Sequence, residues 1–187
     1  MPALIIIGAS TGGTRVLPDL LVRLPQLQAC VLIIQHMPAF ISANVARTLA
    51  DTSKMPLRLA ADGDELTAGQ VLVLPGDQHG VLTQGNRVLR LTADPRVNFV
   101  RPSIDVTMLS VAPSPGQRLA GVILTGMGKD GAAGIRHLKG LGATTFAQNE
   151  DTCAVFRMPQ KAIETGCVDH VMPPGAIAES LVAWARR

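Results

Sequence analysis

Short β-branched runs alternate with longer stretches of helical period along most of this chain, and that order points to parallel strands joined by helical crossovers. Ala3–Ile7 and Cys30–Gln35 read as buried strands. Between them, a helix over Thr14–Leu24 lines up Val16, Leu17, Leu20, Leu21 and Leu24 as one apolar stripe, with Pro18 expected in its tolerant first turn. Ser42–Ser53 predicts a second helix with Ser42 as its N-cap. The middle of the chain changes character. Val71–Leu74, Val81–Thr83 and Val88–Thr92 are short strands divided by Pro75-Gly76-Asp77 and Gly85-Asn86, the pattern of a hairpin. Helical signals return over Ser103–Val111 and Gly131–Leu141, and Gly121–Thr125, Thr144–Ala147 and Val168–Met172 read as further strands. A last helix spans about Ala176 to Trp184. The expected fold is α/β: a doubly wound, mostly parallel sheet flanked by helices, with a small antiparallel hairpin appendage. Without a repeat or long linker, residues 1–187 are expected to form one domain, large enough for a continuous core and a cleft.

Composition removes several classes of function. Aromatic residues are 3% of the chain, with no Tyr, which argues against base-stacking platforms and nucleic-acid partners. The 17 basic and 14 acidic residues are spread without a basic block and describe an ordinary solvated surface. Cys30, Cys153 and Cys167 lack C-x-x-C spacing and sit among apolar neighbours, as reduced packing residues of a cytoplasmic protein do. No stretch approaches the about 18 apolar residues of a membrane span, and the amino terminus has no positive region before its apolar run. Histidine pairs with metal-ligand spacing are absent from the sequence, so no metal is expected.

The chemistry starts where the first strand ends. Gly8-Ala9-Ser10-Thr11-Gly12-Gly13 fits G-x-S-x-G, in which glycines allow a sharp strand-to-helix turn that pushes the serine into the open. The second strand runs into Gln35-His36-Met37-Pro38. A later strand empties into Gly126-Met127-Gly128-Lys129-Asp130-Gly131. Serine, histidine and aspartate thus fall at the carboxyl ends of strands, the edge where open α/β sheets bind ligands. A serine hydroxyl is a poor nucleophile until an imidazole takes its proton, and a carboxylate fixes the tautomer of that imidazole. Each residue also has a plainer use: Ser10 as a turn or cap, His36 as a strand-end histidine, Asp130 as the cap of the helix after Gly131. His79 is a second candidate base; His137 and His170 read as structural or solvated.

In these stretches, and in Arg101-Pro102-Ser103-Ile104-Asp105-Val106 and Ala154-Val155-Phe156-Arg157-Met158-Pro159, the chain resembles the catalytic domain of the chemotaxis protein-glutamate methylesterases, CheB. The resemblance spans nearly the whole chain, in order. It implies Ser10 as nucleophile, His36 as base and Asp130 as orienting carboxylate, and it brings Thr11 and Met127 into the active site, where the Met127 amide is the first candidate oxyanion donor. The implied reaction is hydrolysis of methyl esters on glutamate side chains of chemoreceptor cytoplasmic helices, releasing methanol, with deamidation of receptor glutamines as a second activity and no cofactor. Lys129 falls at a position that varies in the family. Family members usually carry an amino-terminal phospho-receiver, whereas Met1 here lies two residues before the first strand, so the expectation is a stand-alone catalytic domain without phosphorylation control in cis.

One alternative of another class is a nucleotide- or phosphate-binding module using the Gly8–Gly13 turn. Thr14 stands where a P-loop lysine would follow, and Gln35-His36 where a dinucleotide binder places its ribose-binding acid. An ordinary α/β-hydrolase is disfavoured because its triad runs serine, acid, histidine.

Overall fold

The computed structural model describes residues 1–186. Seven parallel strands make the central sheet: β1 (Ala3–Ala9), β2 (Ala29–Gln35), β3 (Leu57–Leu59), β5 (Gln70–Val73), β8 (Leu119–Ile123), β9 (Thr144–Gln148) and β10 (His170–Met172). Their order across the sheet is β10-β9-β8-β1-β2-β5-β3. From β1 the chain winds outward to β2 on one side and later returns to β8 on the other, so the winding reverses beside β1, the kind of crevice that holds ligands in doubly wound sheets.

Both faces of that sheet are covered, because β1 and β2 are apolar at successive positions. On one side, Ile5, Ile7, Val31 and Ile33 pack with Leu17, Leu20 and Leu21 of α1 (Gly13–Leu21), Leu49 of α2 (Ser42–Thr52) and Leu181 of α6 (Pro174–Ala185). On the other, Leu4, Ile6, Leu32 and Ile34 meet Ile104 and Met108 of α3 (Ile104–Leu109), Ile135 and Leu138 of α4 (Ala132–Gly140) and Met158 of α5 (Arg157–Ile163). A three-stranded antiparallel sheet of β4 (Asp64–Glu65), β7 (Val88–Thr92) and β6 (His79–Thr83) joins the second layer through Leu82 and Leu89.

The fold class matches the sequence reading, with four local corrections. Val71–Leu74, placed with the hairpin strands in the sequence, belongs to β5 of the parallel sheet. Pro18 lies inside α1, not in its first turn. Ser42 does not cap α2; a short 3₁₀ turn (Ala39–Ile41) precedes it, and the Ser42 hydroxyl accepts from the Gly76 amide at 2.9 Å. α5, β3 and β4 were not anticipated.

Candidate active site

Ser10, His36 and Thr125 sit just past the ends of three adjacent strands. The Ser10 amide donates to Thr125 O and the His36 amide to Ala9 O, each at 3.0 Å, so the ladder continues one step beyond β1 and sets these residues side by side. The Gln35 side chain pins the edge: its Nε2 donates to both Ser10 O and His36 O at 3.0 Å. Gly12 turns the chain into α1 with φ of 88°, a backbone region that disfavours any residue with a Cβ. Around this turn, a Cβ on Gly12 would lie 2.7 Å from the Ala154 methyl, and one on Gly13 would strike the Gln35 Oε1. Close packing against Ala154 and Gln35 therefore requires glycine at both positions. Past the end of the neighbouring strand β8, Gly126 approaches so closely that a Cβ there would stand 2.7 Å from Ser10 Cβ. Bonds from Gly126 N to Val155 O and from Met158 N to Gly126 O, both 2.9 Å, hold that turn against the Ala154–Pro159 segment.

Asp130 is 2% exposed and surrounded by donors. Its Oδ2 accepts from His36 Nε2 at 2.8 Å and Ile104 N at 2.6 Å; its Oδ1 accepts from Ser103 Oγ at 2.7 Å, Asn98 Nδ2 at 2.9 Å and Asp105 N at 3.2 Å. Burial pushes its pKa up, but the bonds from His36, Ser103 and Asn98 outweigh it and hold the carboxyl below its ordinary range. Asp130 is thus a buried anion fixed by five donors.

The plainer reading of Asp130 as cap of the following helix is incorrect. Asp130 receives the amino-terminal amides of α3, while Asp105 of α3 caps α4, its Oδ1 accepting from Gly131 N at 3.0 Å and Gly134 N at 2.7 Å. The two helices exchange carboxylates. Asn98 Nδ2 bridges them, donating to Asp105 Oδ2 at 2.8 Å as well as to Asp130. Desolvation raises the Asp105 pKa, with the nearby Asp130 charge adding to it against the helix amides and Asn98.

A carboxylate only accepts, so the imidazole nitrogen facing Asp130, Nε2, carries the proton and Nδ1 keeps the lone pair. Among the described residues no hydrogen bond joins Ser10 Oγ to this ring. Thr11 is exposed and tied through its carbonyl to Thr125 Oγ1 at 2.9 Å; Met127 is 68% exposed beside the same turn. His79 is placed apart from these groups in chemical terms: it is 1% exposed, accepts at Nδ1 from Ser103 N at 3.0 Å and faces Pro95 O through Nε2 at 3.2 Å, which uses both nitrogens in bracing the start of α3. None of the cysteines forms a disulfide, and burial pushes the Cys30 thiol to about 12 and the Cys153 thiol to about 11.

Gln35, Asn98, Ser103 and Asp105 were not singled out as site residues in the sequence. Ser103 and Asp105 lie in a quoted motif, and Gln35 adjoins His36. Asn98 left a fainter trace: Asn98 and Phe99 have φ of 53° and 68° at the centre of a turn closed by a Val97–Val100 bridge, and asparagine is among the few residues that tolerate this geometry. Two clefts flank the tip of that turn. One, of about 310 Å³, opens beside His36, Met37, Arg96 and Phe99; the other, of about 290 Å³, runs along Phe99, Gly128, Lys129, Arg157 and Lys161.

A doubly wound parallel sheet whose carboxyl edge gathers a hydroxyl, an imidazole and a buried carboxylate has the layout of a serine-hydrolase catalytic domain. The chain belongs to the CheB methylesterase family, whose model matches residues 5–181. It is 40% identical over 185 residues to a protein-glutamate methylesterase/protein-glutamine glutaminase of Hydrogenovibrio crunogenus, covering 98% of this chain and 49% of that protein. A protein of the same name from Halobacterium salinarum is 43% identical over 187 residues, covering 98% of this chain and 54% of its own length. The chain spans about half the length of the curated relatives it matches. Among solved structures, the Thermotoga maritima CheB methylesterase catalytic domain superposes with a TM-score of 0.93 at 37% identity, covering 98% of this chain and 99% of that one. These likenesses do not support the phosphate-binding alternative.

Proposed function

We propose that this chain hydrolyses methyl esters of glutamate side chains on the cytoplasmic helices of chemoreceptors, through Ser10, His36 and Asp130. The observation that carries this reading is the 2.8 Å bond between His36 Nε2 and the buried Asp130 carboxylate, formed on the sheet edge where Ser10 emerges. Ser10 Oγ attacks the ester carbonyl while His36 Nδ1 accepts its proton. The imidazolium is stabilised by Asp130 and then protonates the departing methanol. Water, deprotonated by the same nitrogen, attacks the acyl-serine and releases glutamate. On glutamine the same steps release ammonia, which accounts for a second activity as a deamidase. The oxyanion is held by backbone amides of the glycine-rich turns, with Met127 N the leading donor and Thr11 beside it; one such donor contributes about 3 kcal/mol to the transition state.

The relatives carry both activities in their names, and action on the cytoplasmic helices of receptors calls for a protein in the cytoplasm. No helix among the described residues is long and apolar enough to cross a membrane. The test is methanol release from methylated receptor membranes. Release by the chain, lost in Ser10→Ala, supports the proposal. Release that persists in Ser10→Ala, or labelling by a serine-directed phosphonate at another residue, overturns the assignment.

A further inference from the structure

The cleft between the Val97–Val100 turn and α5 contains three cations and no acid among its lining residues, Asn98, Phe99, Gly128, Lys129, Arg157 and Lys161. Among the described residues Lys129 and Arg157 form no ion pair, and the Arg157 guanidinium meets only the neutral Gln160 Oε1, at 3.2 Å. Lys161 pairs with Glu164 one turn along the same helix, an exposed contact that contributes little. The neighbouring cleft is different. Its Arg96 is paired with Asp77, and Arg101 donates to the carbonyls of Ala93 and Asp94. Arg101 is thus unpaired as well, but its guanidinium is tied down by two carbonyls and its cleft includes the acid Asp77, whereas the cations on the α5 side of the Phe99 tip have no acid among the residues that line their cleft.

That side adjoins the chemistry. Gly128 and Lys129 lie between Met127 and Asp130 in the chain, and Asn98, at the cleft's inner wall, bonds Asp130 directly. At the rim, Phe99 is 94% exposed and held out by a backbone turn with positive φ at both central residues. A large apolar ring beside spread cations matches an amphipathic polypeptide better than a small anion, which needs convergent donors.

On the methylesterase reading above, we infer that this cleft is a docking surface for an acidic stretch of the protein substrate, so that carboxylates flanking the reacting side chain pair with Lys129, Arg157 and Lys161 while an apolar residue covers Phe99. The cleft then favours sites whose neighbours are acidic, by electrostatic complementarity at the rim of the interface.

Binding tests this without requiring turnover. Two labelled helical peptides of equal length carry a central glutamine, one flanked by glutamates and the other by serines, and are titrated by fluorescence anisotropy. The acidic peptide should bind the chain more tightly, and its affinity should fall as sodium chloride rises from about 0.05 to 0.5 M. In the Arg157→Glu/Lys161→Glu variant, Kd for the acidic peptide should rise about tenfold, while the serine peptide changes little. Equal affinity of the two peptides for the wild-type chain, or salt-independent binding, overturns the proposal even if the variant fails to fold. Displacement of the acidic peptide by inorganic phosphate, but not by chloride at equal ionic strength, also overturns it and identifies a small-anion site. Hydrolysis of a small uncharged ester, measured in parallel on the wild-type chain, reports on the methylesterase reading separately.

Discussion

His36 presents Nε2, not Nδ1, to its carboxylate, and this one contact decides which ring nitrogen is free for Ser10. Because the proposed nucleophile, base and orienting acid act as a unit, Ser10→Ala and His36→Ala should each lower methyl-ester turnover by about 10⁴-fold, with the double variant scarcely worse than either. Additive losses in steady-state kinetics would show that the two residues do not share one step. Asn98 belongs to the same unit at one remove. Asn98→Ala removes donors from both Asp130 and Asp105 and should lower kcat by about tenfold while leaving KM within about twofold, since a hydrogen bond to a buried charge contributes roughly 1.5–3 kcal/mol. A variant that instead raises KM alone would make Asn98 a substrate contact. The strand-end positions of Ser10, His36 and Asp130 were legible in the sequence because apolar runs that empty into a glycine turn, or for His36 into Gln35-His36-Met37-Pro38, mark the carboxyl edge of a parallel sheet. Asn98 was not, since its role depends on a left-handed turn and on two carboxylates brought from distant segments.

At the scale of elements, the exchange of carboxylates between α3 and α4 explains how two short helices are held next to the proposed triad. Asp105→Ala leaves the amides of Gly131 and Gly134 without their acceptor and should cost about 1–2 kcal/mol, read as a lower urea midpoint with an unchanged slope. An unchanged midpoint would mean that water replaces this cap without loss. Sequence reading placed helical signal at Ser103–Val111 and Gly131–Leu141 because apolar spacing there is regular, but periodicity carries no information about which acid serves which helix. α5 escaped it because a seven-residue helix containing Pro159 offers scarcely two turns of pattern. β3 escaped because three residues with Arg58 at the centre resemble any exposed loop. Ser42 illustrates the converse: its residue type suits an N-cap, yet a preceding 3₁₀ turn moves the helix start and a distant backbone amide claims the hydroxyl.

Across the whole molecule, acid stability should register the Asp130 cluster. Its folded-state pKa lies below the ordinary value near 3.9, so its contribution is complete above that pH and is lost as pH falls through the depressed value. Asp105 has the opposite sign. Raised by burial, it binds a proton more readily when folded, so its contribution declines as pH rises from the ordinary value through the raised one. Urea midpoints followed down from about pH 5 should therefore fall most steeply below about pH 4, and Asp130→Asn should flatten that lower limb. A limb unchanged by this substitution would place the acid-sensitive group elsewhere.

The same global view bears on how activity is controlled. Nothing within the described residues covers the proposed site: Met127 and Phe99 are 68% and 94% exposed, and a cleft of about 310 Å³ opens directly beside His36. Ser10 is half-buried rather than enclosed, and the proposed reading has substrate reach it without displacement of another part of the described chain. These 187 residues, assayed on their own, should hydrolyse ester without a phosphodonor, and acetyl phosphate should leave the initial rate unchanged. Stimulation by acetyl phosphate would mean that an acidic residue inside this chain is phosphorylated and that the open arrangement is not the one limiting turnover. Because a small ester needs only the proposed triad and its oxyanion amides, whereas on the docking inferred above a receptor helix also seats against Phe99 and the basic cleft, the two substrates should respond alike to acetyl phosphate and differently to salt. Parallel initial-rate measurements on both substrates separate control of access from recognition of the helix.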